Sequence, residues 1–262
     1  MPEQSHIPKY PLHTLSKALE ILNYIKDSSS SDGVTLNTIS KDLEISKSSA
    51  HRILDTLLYY GFVEKNSSVI TKYRLSWGAY KVGIAVPKYH TLNSSNYAPL
   101  LENLSQETNK TVTLSVQNEY ATITLYKVES DSYVPLHSHL GKHNPLYATA
   151  SGKLFMLEFS QEEIRNYFKN TEIKKYTSNT ILNFIDFLDE LNIVKAKGYS
   201  IDNCEYEENT ICIAMAIKDY TKKTIAAISI SDSAEKMTSE DIKFIKEKLK
   251  ITCDTISKYL GY

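Results

Sequence analysis

The chain has 262 residues, with 30 Lys and Arg against 31 Asp and Glu, 42% hydrophobic and 23% charged residues, and a formal net charge of −1. That length fits two domains that each bury their own core, the composition is that of an ordinary globular protein, and no apolar run approaches the roughly 20 residues a membrane helix needs. Three widely spaced cysteines and a polar opening stretch, residues 1–11, without a signal-peptide core, argue against a disulfide framework and for a reducing cytoplasm. The near-neutral total hides an asymmetry. Residues 1–90 carry 11 Lys and Arg against 8 Asp and Glu, and residues 91–262 carry 19 against 23. An excess this small leaves attraction for phosphates to local placement, multiplied by dimerisation, rather than to a bulk field.

In chain order, a first helix is predicted over residues 14–27, burying Leu15, Ala18, Leu19, Leu22 and Ile25, with no evident chemistry of its own. Residues 27–33 read as a solvated loop. Thr35 then caps a second helix over residues 36–43, with Leu36, Ile39 and Leu43 in register. Only Glu44 and Ile45 separate it from Ser46, the N-cap of a third helix. There Ala50, Ile53, Leu54, Leu57 and Leu58 keep the spacing of one apolar face, while Ser48, Ser49, His51, Arg52, Asp55 and Thr56 take the other. Two short helices joined by so tight a turn read as helix-turn-helix. Gly61 closes the third helix as its C′ residue, and residues 62–65 and 69–75 alternate as two strands around Asn66-Ser67-Ser68, a wing.

A helix start dense in hydroxyls, Lys and Arg suits DNA phosphates and base edges. The candidate DNA contacts are Thr35, Ser46, Lys47, Ser48, Ser49, His51 and Arg52, with Lys72 and Arg74 on the wing. The competing reading is a three-helix packing unit whose charged face is merely solvated. The order and lengths of helix, turn, helix and hairpin favour double-stranded DNA as partner. Residues 75–86, which include Trp77, are apolar on much of their circumference. They read either as a buried core helix or, preferably, as a linker that packs on its copy in a dimer. The chain is thus divided into a winged helix-turn-helix at 1–75, a linker helix at 76–92 and a second domain at 93–262.

That second domain reads as α+β. Helices are expected at 96–108, 154–159, 162–168 and 180–197, the last closed by Gly198. Strands are expected at 111–117, 121–129, 133–140, 199–206, 211–218 and 224–231. Thr238-Ser239-Glu240-Asp241 resembles a capping box with Asp in place of Glu, ahead of a final helix carrying Ile242, Ile245, Leu249, Ile256 and Leu260. Ala148-Thr149-Ala150-Ser151-Gly152 is a run of small residues at a helix start. It is either an anion site, where amides converge and small side chains let a ligand approach, or a place of close helix-to-sheet packing.

Several separated blocks resemble the IclR-type transcriptional regulators over nearly the whole chain. They are Ser16-Lys17-Ala18-Leu19-Glu20-Ile21-Leu22, residues 46–54 with Gly61-Phe62-Val63, and Gly141 followed by Pro145-Leu146-Tyr147-Ala148-Thr149-Ala150-Ser151-Gly152-Lys153. Further on come Gly198-Tyr199-Ser200, Asp202 and Ala226-Ala227-Ile228-Ser229-Ile230-Ser231. The resemblance implies a winged-helix domain, a linker helix and a GAF-like effector domain with an antiparallel sheet flanked by helices, assembled as dimers or tetramers on operator DNA. It also implies a pocket for a small organic acid, carried over here onto Ala150, Ser151 and Gly152 in the small-residue turn, Asp202, and Cys212, with Thr210 and Asn144 nearby. Ala150 and Ser151 stand where some members have Gly and Ala, and Asn144 and Thr210 where some have leucine. These departures favour a hydroxylated or sugar-derived acid.

Duller readings stay open. Asp202 also suits the cap of a turn, and Cys212 a small buried hydrophobe. Cys204 and Cys212 admit a redox role, and His137, His139 and His143 a metal site, although strand histidines at a surface are commoner. Ser151-Gly152-Lys153 has the look of a phosphate-loop ending, but Tyr147 and Leu154 break the motif. No nucleophile elbow, zinc-protease helix or dinucleotide fingerprint occurs. No cofactor and no catalytic residue is expected, and an enzyme with a fused DNA module is the lesser alternative.

Overall fold

The computed structural model describes residues 9–28, 30–67, 70–83, 85, 94–130 and 140–262. It divides into two compact units, within residues 6–91 and 92–262.

The first unit contains α1 (His13–Asp27), β1 (Val34–Thr35), α2 (Leu36–Asp42), α3 (Lys47–Tyr59), β2 (Val63–Ser67), β3 (Thr71–Leu75) and α4 (Trp77–Gly83). Each cap expected from the sequence is in place. Thr35 Oγ1 accepts the Thr38 amide ahead of α2, and Ser46 Oγ accepts the Ser49 amide ahead of α3. Gly61, at φ +70°, lets its own amide reach Leu58 O and that of Phe62 reach Leu57 O, the pair of bonds that ends a helix on a left-handed residue. The wing gains a strand that two residues of sequence could not announce: β1 pairs with β3, giving the order β1-β3-β2. Ile21, Ile25, Ile39, Ala50, Ile53, Leu54, Val63 and Tyr73 form the core behind these elements.

The face of α1 differs from the expected one. Ile21 is fully buried, whereas Leu15 and Leu19 are more than half exposed. The helical period admits both stripes, and packing against α3 and β3 selects Ala18, Ile21, Leu22 and Ile25. Likewise α4 buries none of its residues, and Trp77, Tyr80 and Val82 stand exposed, so this apolar helix is not a core helix of its own unit.

The second unit is a six-stranded antiparallel sheet in the order β6-β5-β4-β9-β8-β7. Its strands are β4 (Thr111–Asn118), β5 (Ala121–Val128), β6 (His143–Pro145), β7 (Ser200–Asn203), β8 (Thr210–Lys218) and β9 (Thr224–Ser233). One face packs on α5 (Ser94–Thr108) and α9 (Ser239–Tyr259) through Leu101, Val112, Leu114, Ile213, Ile228, Ile230, Ile245 and Leu249. The other meets α6 (Ala150–Met156), α7 (Gln161–Asn170) and α8 (Phe184–Lys197) through Ala214, Ala227, Phe155, Phe187 and Val194. Small residues on this second face let α6 lie close to the sheet. The Thr238–Asp241 capping box ahead of α9 is formed as expected.

Some boundaries move. α8 starts at Phe184 behind the cap Asn183 rather than at residue 180. Thr180 Oγ1 instead accepts the amides of Tyr176 and Thr177 and donates to Glu205 O, which ties this loop to the turn after β7. β6 was not foreseen, being three residues long and containing Pro145. The strand expected at 133–140 lies almost wholly outside the described residues, as do His137 and His139.

Candidate functional site

In the first unit, α3 presents Lys47, Ser48, Ser49, His51 and Arg52 to solvent, with Ser46 beside them. Behind them Ala50, Ile53 and Leu54 are buried, so the exposed turn is fixed by the core and not by its own contacts. Ser46 Oγ also bonds the hydroxyls of Ser48 and Ser49, which orients the first turn of the helix. Neither Lys47 nor Arg52 forms an ion pair among the described residues, which leaves both cations available to an external anion. The wing cations differ. Arg74 Nε donates to Glu64 Oε1 at 2.6 Å, and Lys72 Nζ lies 3.5 Å from Asp32. The guanidinium holds the Glu64 carboxyl below its usual range. Thr35 is spent on capping α2 and on a bond to Thr38 Oγ1.

In the second unit, a cavity of about 60 Å3 lies between the sheet and the start of α6, several times what one water needs. Asn144, Ala150, Ser151, Asp202, Thr210 and Cys212 all line it, joined by Thr149 and Tyr206. Its floor is a carpet of hydroxyls: Thr113 and Ser115 on β4, Thr122 and Thr124 on β5, Ser229 and Ser231 on β9. Register explains the carpet. Thr113 pairs with Ser229, Ser115 with Thr124, Thr122 with Asn144, and Cys212 with both Ser231 and Asp202. Two-residue alternation then sends Val112, Leu114, Ile228 and Ile230 to the opposite face. The alternation Thr-Val-Thr-Leu-Ser and Ser-Ile-Ser-Ile-Ser was visible in the sequence, and would have found these residues had both faces been read as buried.

The small-residue run divides between close packing and cavity lining. Gly152 does not line the cavity. A Cβ there would sit 2.2 Å from Leu146 O, so this glycine is required for close packing, while Ala150 and Ser151 face the cavity. Thr149 Oγ1 accepts the Gly152 amide, and the amides of Ala150 and Ser151 have no acceptor within the first turn.

Asp202 both caps a turn and lines the cavity. Its Oδ1 accepts the amides of Glu205 and Tyr206, across a turn in which Cys204 takes φ +56°. The residue is 3% exposed. Burial, and then the neighbouring Glu205 charge, push its carboxyl up to about 7, against the opposing pull of those amides and of Lys153. Two buried polar atoms of the lining, Thr124 Oγ1 and Asn144 Oδ1, have no hydrogen-bond partner. Such groups cost on the order of 1–3 kcal/mol each unless something satisfies them. Burial raises the thiols of Cys204, Cys212 and Cys253, which disfavours the thiolate that redox chemistry needs.

A winged helix-turn-helix joined to an α+β domain whose cavity is floored by hydroxyls defines a DNA-binding regulator with its own effector domain. Residues 90–258 match the bacterial transcriptional regulator IclR C-terminal family, and residues 14–67 match the IclR helix-turn-helix domain. The chain belongs to the IclR family of transcriptional regulators. It is 26% identical to the HTH-type transcriptional regulator KdgR of Escherichia coli K12, over 95% of this chain and 94% of KdgR. The crystal structure of the Thermotoga maritima IclR is 31% identical, with a TM-score of 0.76 over 95% of this chain and 99% of that one. An IclR homologue from Microbacterium hydrocarbonoxydans, complexed with 4-hydroxybenzoate, shares the fold at 17% identity, with a TM-score of 0.79 over 95% and 99% of the two chains. Among the described residues no helix is long and apolar enough to cross a membrane.

Proposed function

We propose that this regulator binds a small hydroxylated carboxylate in the cavity above Thr113, Thr124, Ser229 and Ser231, and that occupancy changes its affinity for operator DNA. The observation that carries this reading is the hydroxyl floor with its two unpartnered polar atoms, Thr124 Oγ1 and Asn144 Oδ1. An apolar ligand would leave both unsatisfied, whereas hydroxyls on the ligand would satisfy them and be satisfied in turn. The carboxylate has two sources of donors: the Ala150 and Ser151 amides, and Asp202 itself when protonated. The complex of the Microbacterium homologue with 4-hydroxybenzoate is in keeping with a small hydroxylated acid.

At the DNA end, Arg52 and Lys47 contact bases or phosphates, Ser46, Ser48, Ser49 and His51 fix register, and Lys72 and Arg74 reach the backbone after leaving Asp32 and Glu64. Thr35 contributes by holding α2. The protein acts in the cytoplasm as a homodimer or tetramer. The exposed Trp77, Tyr80 and Val82 of α4 support a self-associating linker between a DNA-binding part at 1–75 and an effector part at 93–262.

A thermal-shift panel tests the ligand class. Sugar acids and hydroxy acids should raise Tm saturably, and their deoxy analogues should do so at least tenfold more weakly. Equal shifts by both series would reject the hydroxylated class, and no shift by any carboxylate would reject the pocket.

A further inference from the structure

A second cavity carries its own ligand chemistry. A groove of about 390 Å3 is lined by Glu190 and Ile193 of α8, Ile201 of β7, Glu205 beyond it, Ile211 of β8 and Ile242 of α9. None of these residues lines the effector cavity. At its base lies the fully buried Lys153, whose Nζ is 2.6 Å from Glu205 Oε1, 3.0 Å from Glu190 Oε1 and 2.8 Å from Ile201 O. An ammonium has three protons, and these three acceptors use them all.

Two consequences follow from that geometry. Two carboxylates face one buried cation, and the other cation of the lining, Lys197, is exposed, so a negative charge is left over around Lys153. Glu205 is 6% exposed, and its Oε2 is buried with no hydrogen-bond partner. Burial pushes the Glu205 carboxyl up against the pull of Lys153, and a donor brought to Oε2 would favour its charged form. The atom calls for a donor from outside, and the residual charge calls for a cationic one. A bare divalent ion fits poorly, since it wants about six oxygens and Lys153 already occupies the shared side of both carboxylates. The walls are aliphatic, which suits a hydrocarbon chain.

We propose that this groove binds a primary alkylammonium, its NH3+ bridging Glu205 Oε2 and the Glu190 carboxylate and its chain lying along Ile193, Ile201, Ile211 and Ile242. The site is separate from the effector cavity and does not rest on the ligand assigned there.

The test is a methyl-NMR titration of the full-length protein labelled at the isoleucine δ1 methyls, with butylammonium chloride, butan-1-ol and sodium chloride as probes. Butylammonium should shift the four groove methyls saturably, with butan-1-ol at least tenfold weaker and sodium chloride without effect. Glu190→Gln should weaken butylammonium at least tenfold. Ile193→Trp, at the 46% exposed mouth and remote from the buried pair, should abolish binding without disturbing the fold. Ser231→Ala, in the effector cavity, should leave it intact. Matching curves for amine and alcohol would reduce the groove to an apolar cleft. Absent shifts, or binding that survives Ile193→Trp, would overturn the proposal.

Discussion

The proposed DNA-binding face of α3 lies on the surface of its domain, and the proposed effector cavity lies in the interior of its own. On α3 the functional side chains are exposed and the core lies behind them, so Arg52 can change without disturbing Ala50, Ile53 or Leu54. In the cavity the side chains proposed to bind the effector are themselves interior: Thr113, Thr124, Ser231 and Asp202 are each no more than 6% exposed. Recognition and stability are separable in the first region and share residues in the second. Substitutions around the cavity should therefore move Tm and ligand response together, and substitutions on α3 should move operator binding alone.

The largest effect is expected where the cavity wall meets backbone. Gly152→Val puts side-chain atoms into Leu146 O, and an overpacked site that cannot yield falls in the exceptional class above about 4 kcal/mol. The second unit should lose its cooperative unfolding transition in denaturant melts, and a normal transition would show that α6 can retreat. Lys153→Met comes next. Removing one partner of a buried charge group costs about 3–5 kcal/mol, and adding Glu205→Gln should recover part of it. A double variant no more stable than Lys153→Met would deny that the strain lies in the stranded carboxylate.

Asp202→Asn also moves stability and ligand response together, but in opposite directions. The Asp202 carboxyl titrates near 7 in the folded chain, against an ordinary 3.8. Between those values the folded state binds the proton and the unfolded state does not, so this group makes stability fall as pH rises from about 4 to about 7. Asparagine keeps the acceptor for the Glu205 and Tyr206 amides and removes that penalty. Stability above pH 7 should rise by up to about 4 kcal/mol, at about 1.4 kcal/mol per pKa unit, while the effector response is lost. A steeper or unchanged pH profile in denaturant melts would contradict a raised Asp202.

On α3 the expected shifts are of another kind. Arg52→Ala should cost about 1–3 kcal/mol of operator binding with stability unchanged within about 0.5 kcal/mol, read by gel shift and thermal melt on the same sample. Arg74→Ala is the smallest. It removes an exposed ion pair with Glu64 together with one phosphate contact, and should weaken binding to all DNA sequences equally.

The same contrast explains what could be read from sequence. In the DNA module, local rules suffice: Thr35, Ser46 and Gly61 announce the caps, and the helical period identifies the buried side of α3. They fail on α1, where Leu15 and Leu19 satisfy the period but only tertiary packing chooses Ile21. In the effector domain, the run of small residues marks Ala150 and Ser151 and the family resemblance marks Asp202, but the cavity floor is assembled from β4, β5 and β9, which lie far apart in sequence. Thr122, Thr124, Ser229 and Ser231 were missed because serine and threonine on a strand usually mark a solvent face. β6 and β1 were missed because strands of three and two residues exist only through their partners.

On the proposed function, the cavity around Asp202 governs operator affinity. This is tested most directly by operator-binding isotherms of wild type and Asp202→Asn, with and without a saturating hydroxy-acid hit from the thermal-shift panel. The wild-type Kd should shift by about 5- to 150-fold and that of Asp202→Asn not at all, its Kd without effector staying that of wild type. An equal shift in both proteins would contradict this.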